Sequence, residues 1–226
     1  MSHAVALVPA AGRGVRLGSA VPKALQQLRG ETLLGHAVRR LAAAPSVSHV
    51  VVAAPPGAER EVRRLLHPVT GAGITVVAGG AERQASVAAA LAAAPPDYEI
   101  VLVHDAARPL IPSDLCERVI DAVRHGHDAV VPVLEMVDTV KQVDSAGQVV
   151  ATLERSALRR VQTPQGFRRS VLAKAHTSGI GPATDDAGLV EQLGVPVYTV
   201  PGSDWAFKIT HPHDLALAEF LLDHEK

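Results

Sequence analysis

The chain has 226 residues, of which 47% are hydrophobic and only 3% aromatic, and its formal net charge is −1. That length suits one α/β domain with a core of Ala, Val and Leu, and the balanced charge gives no footprint for nucleic acid or an anionic membrane. The longest small-apolar stretch, residues 85–96, is too short to span a bilayer, the N-terminus lacks a signal-like core, and the lone Cys116 reads as a buried hydrophobe, so a cytoplasmic protein is expected.

Residues 4–8 form an apolar run expected as the first strand. They lead into a loop containing Gly12, Gly14 and Gly18 and the fixed cations Arg13, Arg16 and Lys23. Glycines let backbone N–H groups close on phosphate oxygens, and the cations neutralise those oxygens, so this loop points to a triphosphate cradle more than to a solvated turn. Two better-known phosphate loops are excluded. No Gly-Lys-Ser/Thr tripeptide occurs anywhere, so there is no Walker loop. A dinucleotide fingerprint would need glycine where Leu17 stands and an acid where residues 53–56 read Ala-Ala-Pro-Pro.

Further apolar runs at 50–54, 74–78, 100–104 and 129–133 read as buried parallel strands. Helical patterns at 32–44, 59–66, 83–94 and 113–125 alternate with them. The last has Asp114 and Glu117 near its start and Gly126 just past its end, as dipole and capping rules favour. Strand–helix alternation with right-handed crossovers predicts an α/β fold with a Rossmann-like, doubly wound, mostly parallel sheet, with ligands outside the C-terminal strand ends. After Pro132 the alternation stops. Residues 137–143 and 149–153 read as two strands joined by Asp144-Ser145-Ala146-Gly147, with few large apolar residues to bury on their own. The expected organisation is a single domain, residues 1–226, carrying a protruding β-arm at about 137–160 that packs on a second subunit.

Four groups of residues carry the chemistry. Gly79-Gly80 follows the third strand and opens a helix in which Ser86 offers a hydroxyl, suiting close approach to a base or ribose; a plain turn before a helix is the alternative. His104-Asp105-Ala106-Ala107-Arg108 ends the fourth strand. There Asp105 is a candidate Mg²⁺ ligand and Arg108 a candidate phosphate fork, unless the two simply pair with each other. Arg155 and Lys208 are isolated cations among small or apolar residues and would pass for snorkelling surface side chains if taken alone. Residues 163–167 and 184–187 read as polar turns before helices, and helix capping is at least as good an account of Asp185 and Asp186 as catalysis. His125 with His127 and His211 with His213 lack a third ligand and read as surface residues.

Together the segments Pro-Ala-Ala-Gly-x-Gly-x-Arg, Pro-Lys, Gly-Gly-x-x-Arg-x-x-Ser-Val, His-Asp-Ala-Ala-Arg-Pro, Asp-Thr-Val-Lys, Gln-Thr-Pro-Gln-Gly-Phe and Phe-Lys-Ile-Thr resemble the 2-C-methyl-D-erythritol 4-phosphate cytidylyltransferase family, from Val8 to Phe220. The resemblance implies a nucleotidyltransferase-type fold and transfer of CMP from CTP to a polyol phosphate with Mg²⁺. It further implies a homodimer whose arms complete each other's active sites. It places Arg16 and Lys23 on the transition state and Arg155 and Lys208 on the acceptor phosphate. Ala10, Ala11, Gly12, Gly80 and Ser86 would bind the nucleotide, and Asp105, Arg108, Thr139, Thr163 and Thr184 the substrate, with Thr139 and Arg155 donated by the partner. Ala81 stands where some members carry an acid, the 179–182 connection is short, and no second enzyme follows, so a monofunctional chain is expected. Ribitol 5-phosphate as acceptor, and a CTP-binding regulator without turnover, remain the competing readings at this level.

Overall fold

A computed structural model of the chain describes residues 3–12, 22–179, 181 and 183–224. The first half is built as expected. Strand β1 (Ala4–Pro9) is followed by a small hairpin, β2 (Gln27–Leu28) and β3 (Glu31–Thr32), and then by α1 (Leu33–Ala42), whose N-cap Thr32 accepts the Gly35 N–H at 3.0 Å. Next come β4 (Val47–Ala54), α2 (Glu59–Leu66), β5 (Gly73–Ala78), α3 (Arg83–Ala93), β6 (Ile100–Val103) and α4 (Ser113–Arg124). Strands β5, β4, β1 and β6 lie side by side and parallel; β4, β1 and β6 are apolar runs buried for most of their length, and β5, at the edge, is buried only in part.

The alternation along β1 divides the core between the two sides of the sheet. Ala4, Ala6 and Val8 face α1, α2 and α4, packing with Leu34, Leu41, Leu66 and Ile120. Val5 and Leu7 face the opposite side, with Val87 of α3 and residues of two later helices.

The second half departs from the expected pattern. β7 (Ala129–Glu135) is not beside β6; between them lies β11 (Gln165–Arg168), antiparallel to both. Residues 163–167 are therefore the start of a strand and not only a turn, and 129–133 is parallel only to β12 (Tyr198–Pro201). The reason is local: Phe167 is fully buried, and Gly166 allows α4 to lie close, since a Cβ there would come within 2.5 Å of Val119. α5 (Arg169–Thr177), α6 (Asp186–Gln192) and α7 (Pro212–Asp223) complete the helices among the described residues. Gln165 ties β11 to α6, donating to Asp185 at 2.7 Å and accepting the Ala187 N–H at 3.2 Å. α7 closes a third apolar cluster with Leu28, Leu33, Leu110 and Ile209.

The arm is present. β8 (Val140–Val143) and β9 (Val149–Leu153) form their own antiparallel sheet, the first strand starting three residues later than expected. Gly147 sits at φ +84°, and Asp144 accepts the N–H groups of Ala146 and Gln148, both at 2.9 Å, closing the turn. β10 (Arg159–Val161) then returns along β7. Val143, Val149 and Val150 are each more than half exposed, and Val137 is 70% exposed. Among the described residues no helix is long and apolar enough to cross a membrane.

Candidate active site

A cleft of about 210 Å³ opens at the C-terminal ends of β1, β5 and β6, where a doubly wound sheet places its ligands. Three loops frame it. Ala10, Ala11 and Gly12 leave β1; Gly80, Ala81 and Glu82 lead from β5 into α3; Asp105, Ala106 and Ala107 follow β6. The first two loops touch. A Cβ on Gly79 would lie 2.6 Å from that of Ala11, so only glycine permits this approach. Ser86 is buried and turned onto its own loop, donating to the Glu82 carbonyl at 3.0 Å and accepting the Gly80 N–H at 3.1 Å. Its hydroxyl fixes the shape of the glycine turn that the sequence marked for the nucleotide.

Lys23, in a 3-10 turn before β2, and Lys208 also line the cleft. Between the loops stands Asp105, with its side chain 12% exposed. Its Oδ2 accepts from Lys208 Nζ at 2.8 Å and its Oδ1 from Arg83 Nε at 3.4 Å. Burial alone would raise its pKa, but Arg83, Lys208 and Arg108 together hold it well below the usual carboxylate range. Arg83 is the first residue of α3, and its Nη1 also meets Asp186 at 2.6 Å. Burial opposes the Arg83 charge, and the two carboxylates more than offset that, raising its pKa.

Beneath Asp105 the hydrogen bonds determine one tautomer. His104 is fully buried; its Nε2 lies 3.2 Å from the Arg108 carbonyl, which can only accept, so Nε2 carries the proton. Nδ1 then accepts from the Thr163 hydroxyl at 3.0 Å, leaving the Thr163 oxygen to accept the Asp105 N–H at 3.1 Å. Burial pushes the imidazole down to about 4, in keeping with a neutral ring. Arg108 is not paired with Asp105. Its Nη1 donates to the Ala206 carbonyl at 2.6 Å and its Nη2 to that of Val161 at 3.4 Å, while its Nε is buried without a partner. With the Ile209 N–H donating to the Ala107 carbonyl at 2.9 Å, this anchors the segment that presents Lys208.

The expected site residues therefore divide. Ala10, Ala11, Gly12, Gly80, Ser86, Lys23, Asp105 and Lys208 share the cleft, and Thr163 and Arg108 lie below it. Thr139 is exposed before the arm, and Arg155 is exposed at its base, donating to the Val137 carbonyl; neither lines the cleft within this chain. Thr184 is exposed ahead of α6, and Asp185 is that helix's N-cap, accepting the Gly188 N–H at 2.9 Å. Arg16 and Arg13 lie outside the described residues. Arg83 carried no role of its own in the sequence, although the arginine of Gly-Gly-x-x-Arg was the available signal; of the two acids weighed between capping and catalysis, only Asp185 is the cap, and Asp186, the next residue, is buried against Arg83 and His176.

Among the described residues no three His, Cys, Asp or Glu side chains gather as a metal site. Asp105 retains lone pairs, but each of its oxygens already faces a cation. That donor set fits a Mg²⁺ ion only if phosphate oxygens supply most of its ligands, with Asp105 as a candidate protein contact.

Over residues 4–224 the chain matches the family model described as IspD: 2-C-methyl-D-erythritol 4-phosphate cytidylyltransferase. A relative of that name from Streptomyces coelicolor is 54% identical over 98% of this chain and 85% of its own length. Another from Saccharopolyspora erythraea is 55% identical over 96% and 98%. The solved structure of the Thermus thermophilus protein of that name has a TM-score of 0.78 at 44% identity, covering 99% of this chain and 100% of that one. The 4-diphosphocytidyl-2C-methyl-D-erythritol synthase of Anaerococcus prevotii gives 0.85 at 26%, covering 98% and 99%.

Proposed function

The chain belongs to the 2-C-methyl-D-erythritol 4-phosphate cytidylyltransferase family, and we propose that the cleft around Asp105 is where its reaction takes place. The activity is that of a nucleotidyltransferase of isoprenoid biosynthesis. It moves CMP from CTP to 2-C-methyl-D-erythritol 4-phosphate, giving the 4-diphosphocytidyl product and pyrophosphate. The observation that carries the site is the line Arg83–Asp105–Lys208 on the wall of a cleft whose other wall is the Gly/Ala loop after β1.

A phosphate oxygen of the acceptor forms a bond to the α-phosphorus of CTP, and the α–β bridging P–O bond breaks, its electron pair leaving with pyrophosphate. No general base is required, because a phosphate monoester with a second pKa of about 6 is already mostly dianionic at neutral pH. His104, neutral and buried, is thus free to be structural. The barrier lies in bringing two polyanions together and stabilising the added equatorial charge. Lys23 beside the β1 loop supplies preorganised positive charge for the transition state, and Arg16 is assigned the same role from the resemblance. Lys208, held by Asp105 and by the Arg108 anchor, orients the acceptor phosphate. Ala10, Ala11, Gly12 and Gly80 leave space for a flat base and ribose, with Ser86 setting that loop. Bound at the phosphates with Asp105 as its protein ligand, Mg²⁺ would neutralise charge on the triphosphate.

The exposed valine arm supports a homodimer in which Arg155 and Thr139 of a second copy reach the acceptor side. Thr184 remains assigned to the substrate by resemblance. CTP and a polyol phosphate are the partners, with nucleic acid and membrane not expected, and the cytoplasm is the proposed location. The test is pyrophosphate release with CTP and Mg²⁺, offering methylerythritol 4-phosphate and ribitol 5-phosphate in parallel. Turnover with the first acceptor alone is expected. Turnover with ribitol phosphate alone would reassign the substrate, and CTP binding without turnover of either would mark a regulator.

A further inference from the structure

Behind Arg83 the charges continue into the protein. Asp186, at the start of α6, is fully buried, and its Oδ2 lies 2.6 Å from Arg83 Nη1. Its other oxygen accepts from His176 Nε2 of α5 at 3.0 Å, and that imidazole is 3% exposed. Neither Asp186 nor His176 lines the cleft. The sequence His176–Asp186–Arg83–Asp105–Lys208 is thus one unbroken chain of polar contacts, linking the α5–α6 layer to the lysine that faces the ligand. The chain sets two carboxylates, Asp186 and Asp105, between the side chains of His176, Arg83 and Lys208.

Core stability does not explain this arrangement. A buried ion pair is often no better for stability than apolar side chains of the same volume. The imidazole even leaves its Nδ1 buried with no hydrogen-bond partner, a cost that natural structures rarely carry without a reason. What the arrangement does provide is aim. An arginine on the first turn of a helix beside an anion site would follow the anion, since its fork matches phosphate geometry. Asp186 prevents that by holding Nη1, and His176 prevents Asp186 from turning with it.

Resting on the reading of Lys208 as the acceptor-phosphate lysine, we infer that Asp186 and His176 are positioning residues for the acceptor: by fixing Arg83 they fix Asp105, which presents Lys208 to the polyol phosphate. When Lys208 turns to that phosphate, Asp105 loses its 2.8 Å partner. Arg83, tethered from behind, then keeps the carboxylate compensated and in place, so that Lys208 has a defined position to leave and return to. The nucleotide loops are held by Ser86 and not by this chain, so CTP should feel a change in it only through Asp105, as the smaller of the two effects.

The experiment compares full-length wild type with His176→Leu, His176→Gln and Arg83→Lys, determining KM separately for CTP and for methylerythritol 4-phosphate, with melting temperature as a check on folding. His176→Leu should raise the acceptor KM about tenfold and leave the CTP KM within about twofold, the scale of losing one charge-assisted contact behind a binding group. His176→Gln, which keeps a donor for Asp186, should recover most of that loss. Arg83→Lys, which keeps the charge but cannot span both carboxylates, should show the same acceptor-selective defect if His176→Leu fails to fold. An unchanged acceptor KM in these variants, or equal loss for both substrates without recovery by Gln, would overturn the inference. Wild type inactive with methylerythritol 4-phosphate would overturn the underlying reading instead, so the two failures are distinguishable.

Discussion

Lys23 and His104 sit one layer apart in the same site, and their environments give them opposite duties. Lys23 lines the cleft and meets the reacting phosphates in the proposed mechanism. Lys23→Ala should therefore cut kcat by roughly 10²–10³-fold, the usual scale for one preorganised electrostatic stabiliser, as read from steady-state pyrophosphate release. His104 contributes through stability. Its pKa is lowered to about 4 by burial, whereas the unfolded chain protonates it near 6.5, so between those values the unfolded state binds more protons. Stability is then complete above about pH 6.5 and declines towards pH 4, by up to about 3 kcal/mol from this residue. Thermal melts across that range should show the slope, and His104→Gln should flatten it. Asp105 acts at lower pH in the same sense, because a depressed carboxylate loses its contribution only as pH falls below its ordinary range. Cys116, fully buried with its thiol pushed up to about 12, matches the inert hydrophobe read from the sequence.

The elements that the sequence made legible are those whose information is local. β1, β4, β5 and β6 are apolar runs bounded by glycine, proline or a turn, and the helices between them carry their own periodicity and stops. β11 was hidden because Gln165–Arg168 is four residues with one large apolar side chain, and its strand character comes from edges supplied by β6 and β7. The Arg83–Asp186 pair was hidden for the same kind of reason: the two residues are 103 positions apart and meet only because α3 and α6 share a face of the sheet. Arg169 shows how such long-range polar contacts join elements. From the start of α5 it donates to the carbonyls of Ala94 at 2.8 Å, Pro95 at 2.6 Å and Leu91 at 3.3 Å, closing the C-terminal end of α3 with a cation. Arg169→Ala should cost about 1–3 kcal/mol in chemical denaturation and leave kcat unchanged, since the residue lies at the far end of α3 from the cleft.

At the scale of the molecule the unresolved business of one chain is its arm. Val137, Val143, Val149 and Val150 point apolar surface at solvent, and Arg155 at the arm's base does not line its own chain's cleft. If Arg155 serves a second copy, co-expressing Lys23→Ala with Arg155→Ala chains should produce mixed dimers with one intact site each. By symmetry, random pairing would return about a quarter of wild-type activity, although each variant alone is nearly inactive. Absence of recovery in purified mixed dimers would show that each site is complete within one chain. Composition made a hairpin without a core of its own legible, but where its tip rests depends on a surface outside this chain.

The late insertion of β11 also bears on how the protein is made. During synthesis β6 and β7 emerge well before the strand that fills the slot between them, so the nascent chain carries two adjacent open edges until Arg168 has left the ribosome. Gln165–Arg168 is then a keystone, laid into a gap already framed, and the same four residues bring Thr163 and the α5–α6 layer to the back of the candidate site. A chain halted before that point would have most of its sheet and no functional centre, and the quality of the finished enzyme depends on a four-residue interior strand arriving in register.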